Sequence, residues 1–134
     1  MVKPLKILIA EDDYISRRVL QANLEPYGHC DLAVNGREAL DLFVTAWNQW
    51  ESYDLVCLDI MMPELNGQQV LGEIRDFEAE HQCQGTDSTK VVIISALDDF
   101  KNISQAFNQQ CEAYLVKPID RNKLLNTLSE LGLI

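Results

Sequence analysis

The sequence has 134 residues, of which 47% are hydrophobic and 24% charged, and its formal net charge is -10. This length and composition are typical of one globular domain with a single core, and the acidic balance disfavours direct binding to nucleic acid, whose phosphates would be repelled. No apolar run approaches the roughly 20 residues that a membrane span needs. Because the apolar stretch Ile7–Ala10 is too short for a signal peptide, we expect a cytoplasmic protein without membrane insertion.

Five short apolar runs, rich in β-branched residues, predict β-strands. They are Leu5–Ala10, Cys30–Val34, Leu55–Leu58, Val91–Ile94 and Tyr114–Val116. The runs are nearly continuous in apolar residues rather than alternating. This pattern indicates burial on both faces, as in parallel sheets covered by helices.

The segments that follow the strands carry apolar residues at helical spacing. In chain order these residues are Ile15, Val19, Leu20 and Leu24; Leu40, Phe43, Val44 and Trp47; Val70, Leu71 and Ile74; Ile103, Ala106 and Phe107; and Leu124, Leu125, Leu128 and Leu131. The first helix is expected to end before Pro26. Five strands alternating with five helices predict an α/β fold, a doubly wound (βα)5 three-layer sandwich around a five-stranded parallel sheet. We expect a single domain over residues 1–134, and a mobile surface loop over Glu80–Lys90.

Polar side chains with reactive groups follow four of the five predicted strands. They are Glu11, Asp12 and Asp13 after the first strand, Asp59 after the third, Ser95 after the fourth and Lys117 after the fifth. Ligands of open parallel sheets bind beyond the carboxyl ends of the strands. We therefore expect these acids, a hydroxyl and an amine to meet at one edge of the sheet.

Each of these residues also has a simpler interpretation. Asp12 or Asp13 can cap the first helix, whose amino-terminal end favours acids. Asp59 can form a turn, and Ser95 and Lys117 can be ordinary strand-end residues. The joint placement of the four residue types at matching strand ends favours a shared site.

Four motifs carry a resemblance to a known family: ILIAEDD, LVCLDIMMPELNG, VVIISA and AYLVKP. In this order and spacing they resemble the receiver domain of two-component response regulators, the single-domain chemotaxis type included. The resemblance extends from about Lys6 to Leu131 and implies the flavodoxin-like strand order 2-1-3-4-5. It also implies two partners, a sensor histidine kinase or phosphotransfer protein that donates a phosphoryl group and a downstream protein target.

The resemblance assigns roles to individual residues. It implies that Asp59 accepts the phosphoryl group and that magnesium is held by Glu11, Asp12, Asp59 and the backbone carbonyl of Met61, with Asp13 as a further candidate. Crowded carboxylates repel one another unless a cation lies among them, and magnesium is a hard ion that prefers oxygen ligands. Charge and ligand type are therefore consistent with this assignment.

The remaining implied roles concern the response to phosphorylation. Ser95 would hydrogen-bond the phosphoryl group, Lys117 would pair with it, and Tyr114 would change rotamer as Ser95 moves. The Lys117–Pro118 bond is expected to be cis, as is usual in the family. These movements would remodel the face formed by the fourth helix, fifth strand and fifth helix, a shift between two packings.

Several residues of that face are candidates for partner contacts. They are Leu97, Phe100, Lys101 and Lys123, although Leu97 and Phe100 can equally lie at the edge of the core. Met61 and Leu97 occupy positions that flank the phosphoryl group in the family, and neither side chain can orient a water molecule by hydrogen bonding. We therefore expect a long-lived phosphoryl group.

The same residues argue against two other functions. A dehalogenase-type phosphatase carries a second aspartate two residues after the nucleophile, where this chain has Met61, and a carrier of flavin mononucleotide needs a hydroxyl-rich loop where this chain has Glu11 to Asp13. A receiver-like module that binds partners without phosphorylation stays open as an alternative. We expect a phosphoacceptor rather than a turnover enzyme, as a monomer or weak homodimer without an output domain.

The cysteines and histidines are assigned no catalytic role. The four cysteines form no CxxC pair, and Cys57 and Cys111 are expected to be buried thiols. His29 falls at a strand start and His81 in a polar segment.

Overall fold

Five strands and five helices alternate along residues 3–83 and 88–134, the part of the chain that the computed structural model describes. The strands are β1 Leu5–Ala10, β2 Gly28–Ala33, β3 Leu55–Leu58, β4 Lys90–Ser95 and β5 Ala113–Val116. The helices are α1 Tyr14–Leu24, α2 Gly36–Asn48, α3 Gly67–Glu80, α4 Phe100–Asn108 and α5 Arg121–Glu130, with a 3-10 turn at Glu25–Tyr27 after α1. The prediction for the Glu80–Lys90 loop falls partly on residues 84–87, outside the described residues.

The strands form one parallel sheet in the order β2-β1-β3-β4-β5, which confirms the predicted fold. The order reverses at β1, which lies between β2 and β3. Ala10 at the end of β1 pairs with Leu58 at the end of β3. The residues that follow these two strands are therefore neighbours at the carboxyl edge.

The core has two layers because the strands are buried on both faces. One layer packs Leu8, Val56 and Ile93 against α2, α3 and α4, and the other packs Ile9 and Cys57 against α1 and α5. All four residues of β3 are buried. This two-sided burial is the physical reason for the continuous apolar runs.

Two helices expose part of the apolar face that their spacing predicted. In α1, Leu20 and Leu24 are buried, whereas Ile15 is 66% exposed and Val19 is 40% exposed. In α4, Phe107 is 48% exposed. Helical spacing shows which side chains share a face, but the area of the sheet beneath the helix decides how many of them are covered.

Each helix begins after an aspartate or asparagine that caps it. The capping side chains accept hydrogen bonds from backbone N–H groups in the first turn and belong to Asp13, Asn35, Asn66, Asp99 and Asp120. Such caps satisfy donors that the helix itself leaves unpaired. They define where each strand-to-helix connection ends, and three of these connections carry predicted site residues.

The two cysteines expected in the core are buried, as predicted. Burial raises the pKa of Cys57 to about 12 and that of Cys111 to about 11, so both thiols are protonated near neutral pH. Within the described residues, no helix is both long enough and apolar enough to cross a membrane.

Candidate functional site

Three carboxylates lie together at the carboxyl edge of the sheet. Glu11, Asp12 and Asp59 each offer one oxygen atom, and these three atoms lie within 4.8 Å of one another. Glu11 is fully buried, Asp59 is 6% exposed and Asp12 is exposed. The pairing of β1 with β3 creates this cluster, because the backbone N–H of Asp59 donates to the carbonyl of Ala10 at 3.0 Å.

Lys117, the residue after β5, faces the cluster. The Nζ atom of Lys117 donates to Oδ2 of Asp59 at 3.0 Å and also to Oε1 of Glu11. Burial opposes the charged form of this lysine, but its bonds to the two carboxylates outweigh that effect and raise the pKa of Lys117. The ammonium group therefore stays charged at neutral pH.

The cluster carries more negative charge than Lys117 offsets. Burial, and after it the neighbouring Asp59 carboxylate, raises the pKa of Glu11 to about 7, although Lys117 acts in the opposite direction. A divalent cation among the carboxylates would remove this repulsion. The donors are all oxygen atoms, and an exposed one, on Asp12, leaves the site open to solvent, so the residues fit a magnesium ion.

Two glycines, which lack a Cβ atom, allow the segment after β3 to pack closely beside the site. A Cβ atom on Gly67 would lie 2.3 Å from the carbonyl oxygen of Asp59, and one on Gly36 would lie 2.0 Å from that of Leu65. A larger residue at either position would displace the loop. The loop then directs the backbone N–H of Met61 to Oδ1 of Asp59 at 3.2 Å.

Ser95 and Tyr114 lie on the neighbouring strands β4 and β5. The buried Oγ atom of Ser95 accepts a hydrogen bond from the backbone N–H of Leu97 at 3.2 Å, and the Tyr114 hydroxyl donates to the carbonyl of Leu97 at 2.6 Å. The segment after β4 is thus bonded to both. The Lys117–Pro118 peptide is cis, as expected.

The sequence profile of the response regulator receiver domain matches residues 7–129. The chain belongs to this family. It is a receiver domain of two-component systems, with the fold of the chemotaxis regulator CheY.

Similar proteins include both long and short relatives of this receiver domain. It is 36% identical over 132 residues to the sensory/regulatory protein RpfC of Xanthomonas campestris, covering 98% of this chain but 17% of RpfC. It is 30% identical over 128 residues to the chemotaxis protein CheY of Treponema pallidum, covering 94% of this chain and 81% of that protein. The chain therefore spans about a sixth of one relative and most of the other.

Solved structures agree with this assignment. A chain in the CheX–CheY complex with BeF3 and magnesium from Borrelia burgdorferi is 26% identical with a TM-score of 0.81, covering 96% of this chain and 90% of that one. The receiver domain of the Francisella response regulator 1452 is 29% identical with a TM-score of 0.78, covering 95% of each chain.

Asp13 of the receiver domain caps α1. Its Oδ2 atom accepts a hydrogen bond from the backbone N–H of Ser16 at 2.8 Å, and this bond keeps the pKa of Asp13 below its usual value. Asp13 is not among the three clustered acids found in the described part of the chain. Of the two roles that the sequence left open for this residue, the structure supports the cap.

The predicted partner face is partly exposed. Phe100 is 85% exposed, and Lys101 and Lys123 are exposed as well. Leu97 is half-buried and packs against the core. Phe100 is therefore the most accessible apolar residue among the four candidates.

One residue that touches the site has no counterpart in the sequence predictions. Arg17 on α1 donates from Nη1 to the carbonyl oxygens of Glu11 at 2.9 Å and Asp12 at 3.3 Å. The sequence shows two consecutive arginines, Arg17 and Arg18, after the acids, but no spacing rule distinguishes them. The contact depends on the orientation of α1 relative to the sheet.

Proposed function

We propose that this receiver domain accepts a phosphoryl group on Asp59, from a phosphohistidine of a sensor histidine kinase or phosphotransfer protein, in a magnesium-dependent reaction. One observation carries the proposal. The nearly buried Asp59 carboxylate contacts the Lys117 ammonium at 3.0 Å and shares a pocket with two further carboxylates. Phosphoryl transfer needs alignment and charge neutralisation more than covalent chemistry from the protein, and this pocket supplies both.

Each residue of the site has its own role in the phosphoryl transfer. A carboxylate oxygen of Asp59 attacks the phosphorus atom, a P–O bond forms, and the P–N bond to the donor imidazole breaks with its electron pair remaining on nitrogen. Lys117 neutralises charge on the phosphoryl oxygens, and the Ser95 hydroxyl hydrogen-bonds one of them. The backbone N–H of Met61 orients Asp59 by donating to its Oδ1 atom.

Magnesium would be held by Glu11, Asp12 and Asp59, with the backbone carbonyl of Met61 as the fourth protein ligand that the family resemblance implies. When bound, the ion supplies positive charge to the phosphoryl oxygens. The solved Borrelia burgdorferi complex contains BeF3 and magnesium, which supports the same chemistry here.

The output would be a change of partner binding rather than a released product. A phosphoryl group adds negative charge and acceptor oxygens beside Ser95. Movement of Ser95 would change the segment at Leu97, which the Tyr114 hydroxyl also binds. We propose that this rearranges α4, β5 and α5, where the exposed Phe100 contacts a downstream protein.

Incubation with a small phosphodonor tests the phosphoacceptor. With magnesium, the wild type is expected to gain the mass of one phosphoryl group, whereas Asp59→Asn gains none because the nucleophilic carboxylate is gone. Chelation of magnesium is expected to suppress the gain. Intact-mass measurement reads out every sample.

The matched control is Asp41→Asn, which changes an exposed aspartate on α2 and is expected to behave as the wild type. A mass gain in Asp59→Asn equal to that of the wild type would contradict the assignment of the phosphoacceptor. A wild type that gains no mass would favour the alternative of a module that binds partners without phosphorylation.

Met61→Asn is expected to shorten the lifetime of the phosphoryl group several-fold. The Met61 side chain is 57% exposed and its thioether is a weak acceptor, so it cannot direct a water molecule toward phosphorus. An asparagine amide can both donate to and accept from such a water. Decay is followed by intact mass after removal of the phosphodonor.

The matched control for this lifetime is Met61→Leu, which keeps an apolar side chain of similar size and is expected to decay at the wild-type rate. Equal decay of Met61→Asn and the wild type would show that this position does not control access of water.

A further inference from the structure

We propose that Arg17 is a positioning residue for the magnesium site. By binding the backbone carbonyls of Glu11 and Asp12, it holds the two acidic side chains in the arrangement that the ion requires. The inference rests on the proposed function and adds a residue that contacts neither the phosphoryl group nor the ion.

The geometry of the contact supports this role. A single nitrogen atom, Nη1, donates to two consecutive carbonyl oxygens, of Glu11 at 2.9 Å and of Asp12 at 3.3 Å. Consecutive peptide groups that bind the same donor cannot rotate independently. Because each side chain leaves the backbone beside one of these groups, the contact limits where the two carboxylates can lie.

Arg17 is itself held in place from two sides. Its backbone N–H donates to the carbonyl of Asp13 at 2.9 Å as part of the first turn of α1, and its guanidinium lies 5.6 Å from the centre of the Tyr14 ring. A cation over an aromatic ring is attracted to it. The backbone of Arg17 is therefore fixed in α1, and the contact with Tyr14 restricts the movement of its side chain.

Charge and positioning predict opposite results when Arg17 is replaced. The guanidinium is a cation near a cation site, so its removal should strengthen magnesium binding slightly if charge alone matters, an effect that salt screens over about 8 Å. Loss of the two carbonyl contacts should weaken binding, because partners that orient metal ligands typically contribute about 10- to 100-fold in affinity. The sign of the change separates the two effects.

The chain provides a matched control at the next position. Arg18 is exposed and its guanidinium donates to Oε1 of Gln21 at 3.0 Å. Arg18→Met removes the same charge from the same helix but leaves the contacts to Glu11 and Asp12 intact. The difference between Arg17→Met and Arg18→Met therefore isolates the effect of positioning.

The test is calorimetric titration of the whole chain with magnesium at constant ionic strength. We expect the Kd of Arg17→Met for magnesium to rise about 10-fold or more and that of Arg18→Met to stay equal or fall slightly. Arg17→Lys keeps a charged donor group, so its Kd should lie between those of the wild type and Arg17→Met. The loss in the rate of phosphoryl transfer by Arg17→Met should be larger at limiting than at saturating magnesium. The magnesium-induced rise in Tm provides a second readout.

Three outcomes are distinguishable. Equal or tighter binding by Arg17→Met than by Arg18→Met would overturn the role of Arg17 and leave the proposed function intact. A wild type that binds no magnesium would overturn both. Denaturation in chelator shows whether Arg17→Met is folded without magnesium. If it is not, Arg17→Lys replaces it in the test, and a folded Arg17→Lys protein whose Kd for magnesium equals that of the wild type would overturn the proposal.

Discussion

Lys117→Met is expected to slow phosphoryl transfer to Asp59 by about 10²- to 10³-fold, the range found when one charge-stabilising donor is removed from an active site. The substitution keeps most of the side-chain volume and removes the ammonium that contacts both Asp59 and Glu11. Charge that develops on the phosphoryl oxygens would then be offset by magnesium alone. The rate is measured by intact mass over time, with a small phosphodonor and saturating magnesium.

The matched control for this rate is Lys101→Met, which removes an exposed lysine from α4 and is expected to react as the wild type. Thermal denaturation in magnesium confirms that both variants are folded. Transfer at the wild-type rate in Lys117→Met would show that the ammonium does not stabilise the transition state. A slow rate in both variants would point to the overall charge of the chain instead.

Arg75→Met is expected to lower the free energy of unfolding by about 3–5 kcal/mol, the cost of leaving one partner of a buried ion pair alone. The Arg75 side chain on α3 is 12% exposed, and its guanidinium binds Oε1 of Glu78 at 2.7 Å and Oε2 of Glu112 at 2.9 Å. It also donates to the carbonyls of Thr89 and Gln110. Without it, these acceptors lose their donor.

Glu78 makes this loss costly. Its side chain is 2% exposed, and its other oxygen, Oε2, accepts a hydrogen bond from the backbone N–H of Thr89 at 2.8 Å. The carboxylate cannot turn to solvent without giving up that bond, which orients the segment entering β4. A buried charge without its partner is far less stable than a paired one.

A double substitution separates the contribution of the ion pair to stability from that of side-chain packing. Arg75→Met combined with Glu78→Met removes both charges, so we expect it to be less destabilised than the sum of the two single variants. Arg18→Met, at an exposed position, is the control and should change the free energy by less than about 0.5 kcal/mol. Urea denaturation measures all variants. An Arg75→Met protein within about 1 kcal/mol of the wild type would contradict the buried role of this pair.

The strands were predictable because burial on two faces demands nearly continuous apolar runs, whereas their order in the sheet was implied by the family resemblance. Leu55–Leu58 is an example, since every side chain in it is buried. Helix faces were predicted less well. Ile15 and Val19 have core-like spacing but are exposed, since spacing describes the helix alone and not the surface on which it packs.

The candidate site was largely visible in the sequence because its residues follow strand ends. Parallel strands place such residues at one edge whatever their distance along the chain, which is how Glu11 and Asp59 meet. The role of Asp13 was not decidable from the sequence. A capping acid and a metal ligand occupy the same position in the chain, and only the direction of the side chain, toward Ser16, separates them.

The sequence by itself determined the order of strands and helices, the parallel sheet and the set of polar groups at its edge. The tertiary structure decided which groups bind which. Arg75 meets Glu112 across 37 positions of the chain and the carbonyl of Thr89 across 14. Local sequence patterns reflect burial and backbone preference, which depend on neighbouring residues. Such pairs depend instead on how distant segments pack, and no spacing in the chain encodes this packing.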